Sequence, residues 1–263
     1  MKLALTLGAL AATAVASAAS AGVIYSTGFD TSEGYTFGDI NGQNGWSTFQ
    51  PGAGGGFANV TGSAPSGFGG DGALQFNSGT DANTSPRYAG GPTYDAAWQN
   101  EVANGNTIHY TTVSMYLGSG QNSTARLGSV TFDSTGTKIL SGFYVQANTG
   151  AVYMLGYYNN AGTLNNFAFN TNATIGFNQW VTFTTTWDSV TGQFQVFWGS
   201  NGFYVNGAGA GSVASETDMY NTRNGSTTAA TAYFDNLEIG AIPGPGALAL
   251  LGVAGIVTGR RRR

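Results

Sequence analysis

Residues 179–199, QWVTFTTTWDSVTGQFQVFWG, contain two runs in which every second residue belongs to the same predicted face. This period of two predicts a pair of half-buried β-strands. The residues predicted to share the buried faces are Val181, Phe183, Thr185, Trp187, Phe194, Val196 and Trp198. Between the runs, DSVTG predicts a turn in which Gly192 can adopt a positive φ. The stretch therefore predicts an antiparallel hairpin with Trp187 and Trp198 in the core.

The same pattern recurs along the chain, so an all-β fold is expected. SVTF and KILSGFYV are joined by a turn at 133–136, and SGFYVQA and AVYMLGYY by a turn at 148–150. HYTTVSMYLG and AYFDNLEIG supply further strands. The one helix candidate, Asp95–Val102, is too short to be stable without packing. With 42 glycines between short strands, the sequence predicts one antiparallel β-sandwich over residues 22–240, with a long surface connection at 52–72.

Composition excludes several classes of function. Charged residues make up 8% of the chain, far below the usual quarter. Between the two ends, the basic residues are Arg87, Arg126, Lys138 and Arg223, and all 13 acidic residues of the chain lie there. Such a surface cannot neutralise a run of phosphates, so no nucleic-acid partner is expected. The chain has no cysteine, which excludes disulfides, thiolate nucleophiles and Cys-ligated metals.

The first 21 residues, MKLALTLGALAATAVASAASA, predict a secretory signal peptide. One lysine precedes an apolar run, and small residues precede two equally suitable cleavage points, after Ala18 or after Ala21. The alternative, a short buried helix, is disfavoured because the segment precedes the first strand pattern. The protein is therefore expected to be exported.

Residues 241–263, AIPGPGALALLGVAGIVTGRRRR, predict a short apolar helix followed by a positive cluster. The apolar run is shorter than the about 20 residues that cross a bilayer, and the arginines would stay on the cytoplasmic side. The layout resembles the PEP-CTERM sorting tail of exopolysaccharide-producing Gram-negative bacteria. The residues that carry this resemblance are Ile242, Pro243, Gly244, Pro245, Arg260, Arg261, Arg262 and Arg263, with Gly244 where the family has Glu.

The resemblance to the sorting tail implies transient insertion in the inner membrane and processing by an exosortase near Pro243 and Pro245. The expected destination is the cell surface or the extracellular matrix. The alternative is a permanent transmembrane anchor, which would keep the protein on the membrane if the tail is not processed.

Several segments of the central region resemble a concanavalin A-like jelly roll of the laminin-G or lectin/glucanase type. They are GFDTSEGYTFGDINGQNGW, DGALQF, NQWVTFTTTWDSVTGQFQVFWGSNG and YFDNLEIG, in that order. The resemblance implies a jelly-roll β-sandwich that binds carbohydrate or protein outside the cell, in some members with calcium. In some branches of the family it implies glycoside hydrolysis.

The search for catalytic residues favours a domain that is not an enzyme. The glucanase branch carries its carboxylates on one strand as E-x-D-x-x-E, and the nearest match is Glu216-Thr-Asp218-Met-Tyr-Asn221. Asn221 cannot donate a proton as a carboxylic acid, so we interpret this segment as a loop with two solvated carboxylates. His109 is the one histidine, and an exposed or core position is expected for it in preference to a catalytic triad.

Softer signals indicate ligand binding. Trp46 lies in a loop-like context, as do Tyr94, Asp95 and Trp98, and exposed rings with nearby polar groups can hold a sugar. Packing under a loop is the alternative for these tryptophans. Asp30 lies near the start of the domain in sequence and Asp235 near its end. The two can meet on adjacent strands to hold Ca²⁺, although solvation at turns and strand ends explains them equally well. No cofactor is required by the sequence.

Together these features predict an exported, surface-sorted, non-catalytic protein that binds polysaccharide in the envelope or the exopolysaccharide matrix. A structural or adhesive matrix protein without a glycan site is the competing class. A divergent glycoside hydrolase or lyase is a further alternative.

Overall fold

Two antiparallel β-sheets packed face to face make up most of the fold. The computed structural model describes residues 22–49, 57–67, 70–78, 86–160, 162–222, 226 and 228–244. Helix α1 (Asp95–Ala103) and a 3₁₀ turn (Thr31–Glu33) are the helical elements in those ranges. The prediction of an all-β antiparallel jelly-roll sandwich is confirmed, including the single short helix near residue 95.

The first sheet contains nine strands within the described ranges. They are β1 (Gly22–Thr27), β2 (Gly38–Asp39), β4 (Ala58–Thr61), β5 (Ala73–Asn77), β7 (Ile108–Leu117), β12 (Trp180–Asp188), β13 (Gln193–Trp198), β14 (Asn201–Asn206) and β16 (Thr231–Ile242). The order across the sheet is β14-β13-β12-β7-β16-β5-β4-β2, and β1 also pairs with β16.

The second sheet contains seven strands in the part of the chain that the structure describes. They are β3 (Ser47–Phe49), β6 (Arg87–Gly90), β8 (Arg126–Asp133), β9 (Ile139–Gln146), β10 (Ala151–Asn160), β11 (Thr163–Thr174) and β15 (Ala214–Thr222). Their order is β11-β10-β9-β8-β15-β6-β3.

The hairpin predicted from residues 179–199 is formed by β12 and β13. Thr185 lies opposite Val196 and Trp187 lies opposite Phe194, and Gly192 in the turn has a φ of 75°. Trp187 is fully buried, as predicted. The alternation of side chains along the two strands is therefore set by burial of one face, as the sequence pattern indicates.

Aromatic stacking joins the two sheets. Phe143 of β9 lies parallel to Phe183 of β12, with ring centroids 3.9 Å apart and an interplanar angle of 14°. Both rings are buried, and burying one such side chain contributes about 1.5–3 kcal/mol of hydrophobic free energy. Packed aromatic side chains therefore fill the centre of the space between the two sheets.

Two segments interpreted from sequence as loops are strands, and those interpretations are wrong. Residues 58–61 form β4 inside the predicted surface connection, and residues 214–222 form β15 in the interior of the second sheet, between β8 and β6. In β15, Thr217 and Met219 are fully buried. Glu216 and Asp218, which alternate with these buried residues, conceal the pattern, because carboxylates are depleted in ordinary strands.

The two ends of the domain lie side by side. Gly22 of β1 pairs with Ala241 of β16, and β16 continues to Ile242, two residues into the predicted tail. The predicted signal peptide at 1–21, Pro245 and the arginines at 260–263 lie outside the described residues. No helix in the described part of the chain combines the length and the hydropathy needed to span a bilayer.

Candidate active site on the outer face of the second sheet

The register of the second sheet aligns seven outward-facing positions into one line across all its strands. In order from β3 to β11 they are Phe49, Tyr88, Tyr220, Gly128, Tyr144, Tyr153 and Asn170. We call this line the aromatic row. Neighbouring strands are about 4.8 Å apart, so the row extends over about 29 Å. Phe49, at the edge strand, is 63% exposed, so the row opens to solvent at that end.

Gly128 separates the two halves of the aromatic row. A Cβ atom at this position would overlap the carbonyl oxygen of Phe143 on β9. The absence of a side chain leaves Tyr144 and Tyr220 facing each other across the glycine, with ring centroids 6.4 Å apart. Two tyrosines from different strands therefore flank one gap on the sheet surface.

Arg126 lies beside the aromatic row, two residues before Gly128 on β8. It is opposite Thr222 on β15 and Gln146 on β9. Its guanidinium carbon is 4.8 Å from the ring centre of Tyr144 and 5.3 Å from that of Tyr153. These are cation–π distances. The Nε atom of Arg126 is buried and has no hydrogen-bond partner. The arginine is therefore fixed by the rings with donor capacity remaining.

The cation affects the neighbouring phenols. Burial raises the pKa of Tyr144 and of Tyr220, and the charge of Arg126 acts in the opposite direction on both. The Tyr144 hydroxyl is buried and has no hydrogen-bond partner. Both tyrosines therefore carry their protons at neutral pH, and Arg126 makes loss of a proton less unfavourable.

Two carboxyl groups lie on the opposite side of the aromatic row from Arg126. Glu216 is half-buried and Asp218 is 4% exposed, both on the outer face of β15. Burial, and then the charge of Glu216, raise the pKa of Asp218 well above its ordinary value. Burial also raises the pKa of Glu216. The Oδ1 atom of Asp218 has no hydrogen-bond partner, so this carboxyl can donate or accept a bond from a ligand.

A groove of about 350 Å³ lies on this acidic side of the row. Its size suits a small-molecule or saccharide ligand. Its lining consists of Ser47, Phe49, Tyr88, Gly90, Phe132, Gly136, Thr137, Ile139, Asn166, Glu216 and Asp218. Asn166 is held in the wall because its Nδ2 donates to the Thr137 carbonyl and its Oδ1 accepts from the Ile139 amide. The lining combines aromatic rings with fixed polar groups.

The tryptophans and the tyrosine named from sequence as ligand residues lie in the core. Trp46 is 1% exposed, and its indole nitrogen donates to the hydroxyls of Tyr25 and Tyr35. Tyr94 and Trp98 are also buried, while Asp95 begins helix α1 and is half-buried. Trp46 and Trp98 therefore offer no open face to a sugar, whereas Tyr94 and Asp95 line a separate pocket of about 310 Å³ beside Tyr25 and Pro92.

His109 is buried between the sheets rather than on the groove. Its Nε2 atom lies 3.0 Å from the hydroxyl of Tyr94, which also contacts the hydroxyl of Thr217 at 2.8 Å. Burial lowers the pKa of His109 to about 3. The imidazole is therefore neutral and takes no part in a site on the outer face.

Asp30 and Asp235 come together near the junction of β1 and β5. A Cβ atom on Gly28 would lie 3.1 Å from Asp30 Oδ2 and 3.5 Å from Asp235 Oδ1. Asp30 Oδ1 accepts from the backbone amides of Asp71 and Gly72. Asp235 is fully buried, and its Oδ2 atom has no hydrogen-bond partner.

This pair fits a calcium ion in part. Burial, and to a smaller extent the charges of Asp30 and Glu33, raise the pKa of Asp235 to about 7, and a cation would relieve that repulsion. In the described ranges no three His, Cys, Asp or Glu side chains converge as a metal site. Backbone carbonyls and water would have to complete the about six to eight oxygen ligands that Ca²⁺ takes.

Comparisons with known proteins give the fold. No protein-family model matches the chain, and no curated protein matches it. Among solved structures, the chain is similar to cellulose induced protein Cip1, with a TM-score of 0.53, 11% identity, and coverage of 82% of this chain and 96% of that one. It is also similar to alginate lyase vAL-1 from Chlorella virus, with a TM-score of 0.50, 13% identity, and coverage of 78% and 98%.

The expectation from sequence that the domain is not an enzyme is corrected by these findings. An alginate lyase shares the fold over most of its length, and the search of the sequence missed the groups on the outer face because they come from different strands. No sequence motif joins Arg126, Tyr144 and Tyr220, which meet only through the register of β8, β9 and β15. The chain is a jelly-roll β-sandwich of the architecture found in a polysaccharide lyase.

Proposed function

We propose that the domain binds an acidic polysaccharide on the outer face of the second sheet and cleaves it by β-elimination. The observation that carries this proposal is the contact of Arg126 with a line of tyrosines next to an open groove. Elimination beside a uronate needs a group that neutralises the carboxylate and two proton-transfer groups, and the cluster supplies both. The likeness in fold to an alginate lyase supports the same reaction class.

Arg126 and Gln146 are the groups proposed to receive the substrate carboxylate. They lie directly opposite each other on β8 and β9, so a guanidinium and a side-chain amide can bind one carboxylate from adjacent strands. A charge-assisted hydrogen bond from an arginine is among the stronger polar interactions in proteins. Neutralising the carboxylate makes the hydrogen on the neighbouring carbon, C5, more acidic.

Tyr144 and Tyr220 are proposed to move the protons. Tyr144 is in contact with Arg126, whose charge makes loss of the phenol proton less unfavourable. The proposed base is the phenolate that remains after Tyr144 has given its proton to solvent, and it removes the C5 proton. The electron pair forms the C4–C5 double bond as the C4–O bond breaks. Tyr220, across Gly128, gives its proton to the leaving oxygen, which becomes the anomeric hydroxyl of the released fragment.

The test is incubation of the purified protein with uronate-containing polysaccharides while the ultraviolet absorbance of an unsaturated uronate end is followed. Absorbance that increases with time and is lost in Tyr144→Phe supports elimination. A matched control is Tyr204→Phe, which changes an exposed tyrosine of the first sheet. No absorbance from any uronate polymer would refute the proposal.

A second candidate reaction is hydrolysis by Glu216 and Asp218. These carboxyls lie two residues apart on one face of β15 inside the groove, and paired carboxyls flanking a glycosidic bond are what glycoside hydrolysis requires. Reducing ends that form without unsaturated product, and that disappear in Glu216→Gln, would favour this reaction over elimination.

We also propose that Asp30 and Asp235 hold a structural Ca²⁺ ion. The buried, unpaired Oδ2 atom of Asp235 supports this, since an orphaned carboxylate oxygen is costly unless a cation or a donor occupies its site. The ion would fix the ends of β1 and β5 and is assigned no part in the reaction.

For the whole chain, we propose export by the N-terminal segment and sorting to the cell surface through the 241–263 tail. The apolar run and terminal arginines support a transient stay in the inner membrane and processing by an exosortase. Intact mass measurement on protein from native cells tests this. Mature protein that retains Arg260–Arg263 would contradict processing and favour a permanent anchor.

A further inference from the structure

We infer that the substrate is a heteropolysaccharide in which isolated uronates are separated by neutral sugars, and not a polymer of uronates alone. The inference rests on the proposed eliminative function, and it concerns the sugars on either side of the one that reacts. It is carried by the distribution of charge on the outer face of the second sheet.

The cationic and acidic groups of the outer face lie on opposite sides of the aromatic row. Arg126 is opposite Thr222, and Asp218 lies four residues earlier on the same strand, which is roughly 13 Å away along β15. This distance is long enough for neighbouring sugars of one chain to lie in the two environments. One sugar can therefore meet a cation while the next sugars meet carboxyls.

No basic residue is among those that line the groove, as far as the described chain defines it, whereas Glu216 and Asp218 both line it. Lys138 lies between two lining residues in sequence, Thr137 and Ile139. Its amine is 5.6 Å from the ring centre of Tyr157 and donates to the hydroxyl of Ser212. It is therefore engaged elsewhere. A carboxylate that entered the groove would meet acidic groups without a counter-charge.

Adding a substrate carboxylate to this groove would place it beside Glu216 and Asp218. Either carboxyl, when ionised, would repel it, and no basic residue in the lining would offset that repulsion. Like charges placed together at an interface weaken binding. In a homopolyuronate every sugar that occupies the groove brings such a charge.

The other lining residues suit neutral sugars. Phe49 and Tyr88 lie at one wall, with their ring centroids 6.5 Å apart, and Phe132 lies 5.6 Å from Tyr88. Aromatic faces cover the apolar C–H faces of sugars, and carboxyls accept hydrogen bonds from hydroxyl groups. The groove therefore has the donor and acceptor pattern of a site for uncharged hexoses.

The experiment compares two polymers with the intact protein, at equal uronate concentration. One is a glucuronate homopolymer, and the other is a heteropolysaccharide with one glucuronate in each repeat of neutral hexoses. We expect kcat/KM for unsaturated product to be at least about tenfold higher for the heteropolymer. Raising the salt concentration is expected to reduce this ratio, because screening weakens charge repulsion.

Variants identify the source of the selectivity. Glu216→Gln, and separately Asp218→Asn, are expected to increase cleavage of the homopolymer relative to the heteropolymer. Glu238→Gln is the matched control, because it removes one carboxylate from the first sheet, where Glu238 accepts from Tyr110. The control is expected to leave the ratio unchanged.

The outcomes separate the two proposals. Unsaturated product formed from the homopolymer as readily as from the heteropolymer overturns this inference and leaves the eliminative function in place. No unsaturated product from either polymer overturns the proposed function and this inference with it. A ratio that is high but unaffected by Glu216→Gln, Asp218→Asn and salt also overturns the inference, because selectivity then does not come from the acidic groove.

Discussion

At Arg126, a permanent cation lies against two tyrosine rings while its Nε atom is buried and unpaired. Such an arrangement is incomplete on its own, because a buried donor without an acceptor reduces stability. A bound carboxylate would complete it. The residue is therefore better explained by what binds there than by packing alone.

Replacing Arg126 tests this explanation. Arg126→Ala is expected to reduce kcat/KM for unsaturated product by roughly 10²–10³-fold, the range for loss of one group that stabilises transition-state charge. Arg126→Lys should restore little of it, because lysine lacks the fork that binds a carboxylate in two places. Circular dichroism checks folding, and Lys138→Gln serves as the control cation. Full activity in Arg126→Ala would exclude the assigned role.

The raised pKa of Asp218 predicts how the free energy of unfolding depends on pH. Its pKa is raised in the folded protein, so between the ordinary value of about 3.9 and the raised value the native state binds more protons than the unfolded state. The free energy of unfolding therefore falls as pH rises through this window, with a slope of at most about 1.4 kcal/mol per pH unit from this group. Glu216 acts in the same direction, and Tyr88 faces the pair from β6.

Urea unfolding of the wild type and of Asp218→Asn at several pH values measures this effect. The stability of the wild type relative to the variant should decrease from pH of about 4 toward neutrality, because the asparagine cannot ionise. Parallel pH profiles would show that Asp218 ionises in the folded state as it does in the unfolded chain.

Strands β8, β9 and β15 show how elements create a site that no single segment contains. Each contributes one or two outward residues, and the register alone brings Tyr144, Gly128 and Tyr220 into line. A one-residue slip of register would turn these side chains into the core. The geometry of the site is therefore a property of strand pairing.

Gly128 is the position where this pairing is most sensitive. Gly128→Ala is expected to lower the free energy of unfolding by about 1–3 kcal/mol, because the new methyl group overlaps the backbone of β9 at Phe143. Gly118→Ala is the matched control, since a Cβ there meets nothing within 4 Å. Equal stability of the two variants in chemical denaturation would contradict the assigned close approach.

The sequence predicted strands where one face is apolar and the other polar. It missed β15, where acidic residues occupy the outer face. The alternation around Phe183 and Trp187 is strong because one face is apolar. Around Glu216 and Asp218 the outer face carries acidic residues, which are uncommon in strands, so the same period of two is concealed. Trp46 misled in the opposite way, since its glycine-rich surroundings resemble a loop while hydrogen bonds hold its indole in the core.

For the whole molecule, calcium is expected to act on stability. Added Ca²⁺ at about 100 times its dissociation constant should stabilise the native state by about 2.7 kcal/mol, which raises the melting temperature by several degrees. A chelator should reverse the increase, and Asp235→Asn should abolish it. A wild-type melting temperature that does not respond to Ca²⁺ or to the chelator would remove the proposed ion.

The position of β16 sets the order in which the chain can fold. Among the described residues β16 is the final strand, and it lies inside the first sheet, bonded to β7 on one side and to β5 and β1 on the other. The sheet therefore stays divided until residue 242 is available, however much of the chain has already emerged. A polypeptide threaded through a translocation channel from its N-terminus would leave this sheet incomplete until residue 242 had crossed. The native core would then close only on the far side.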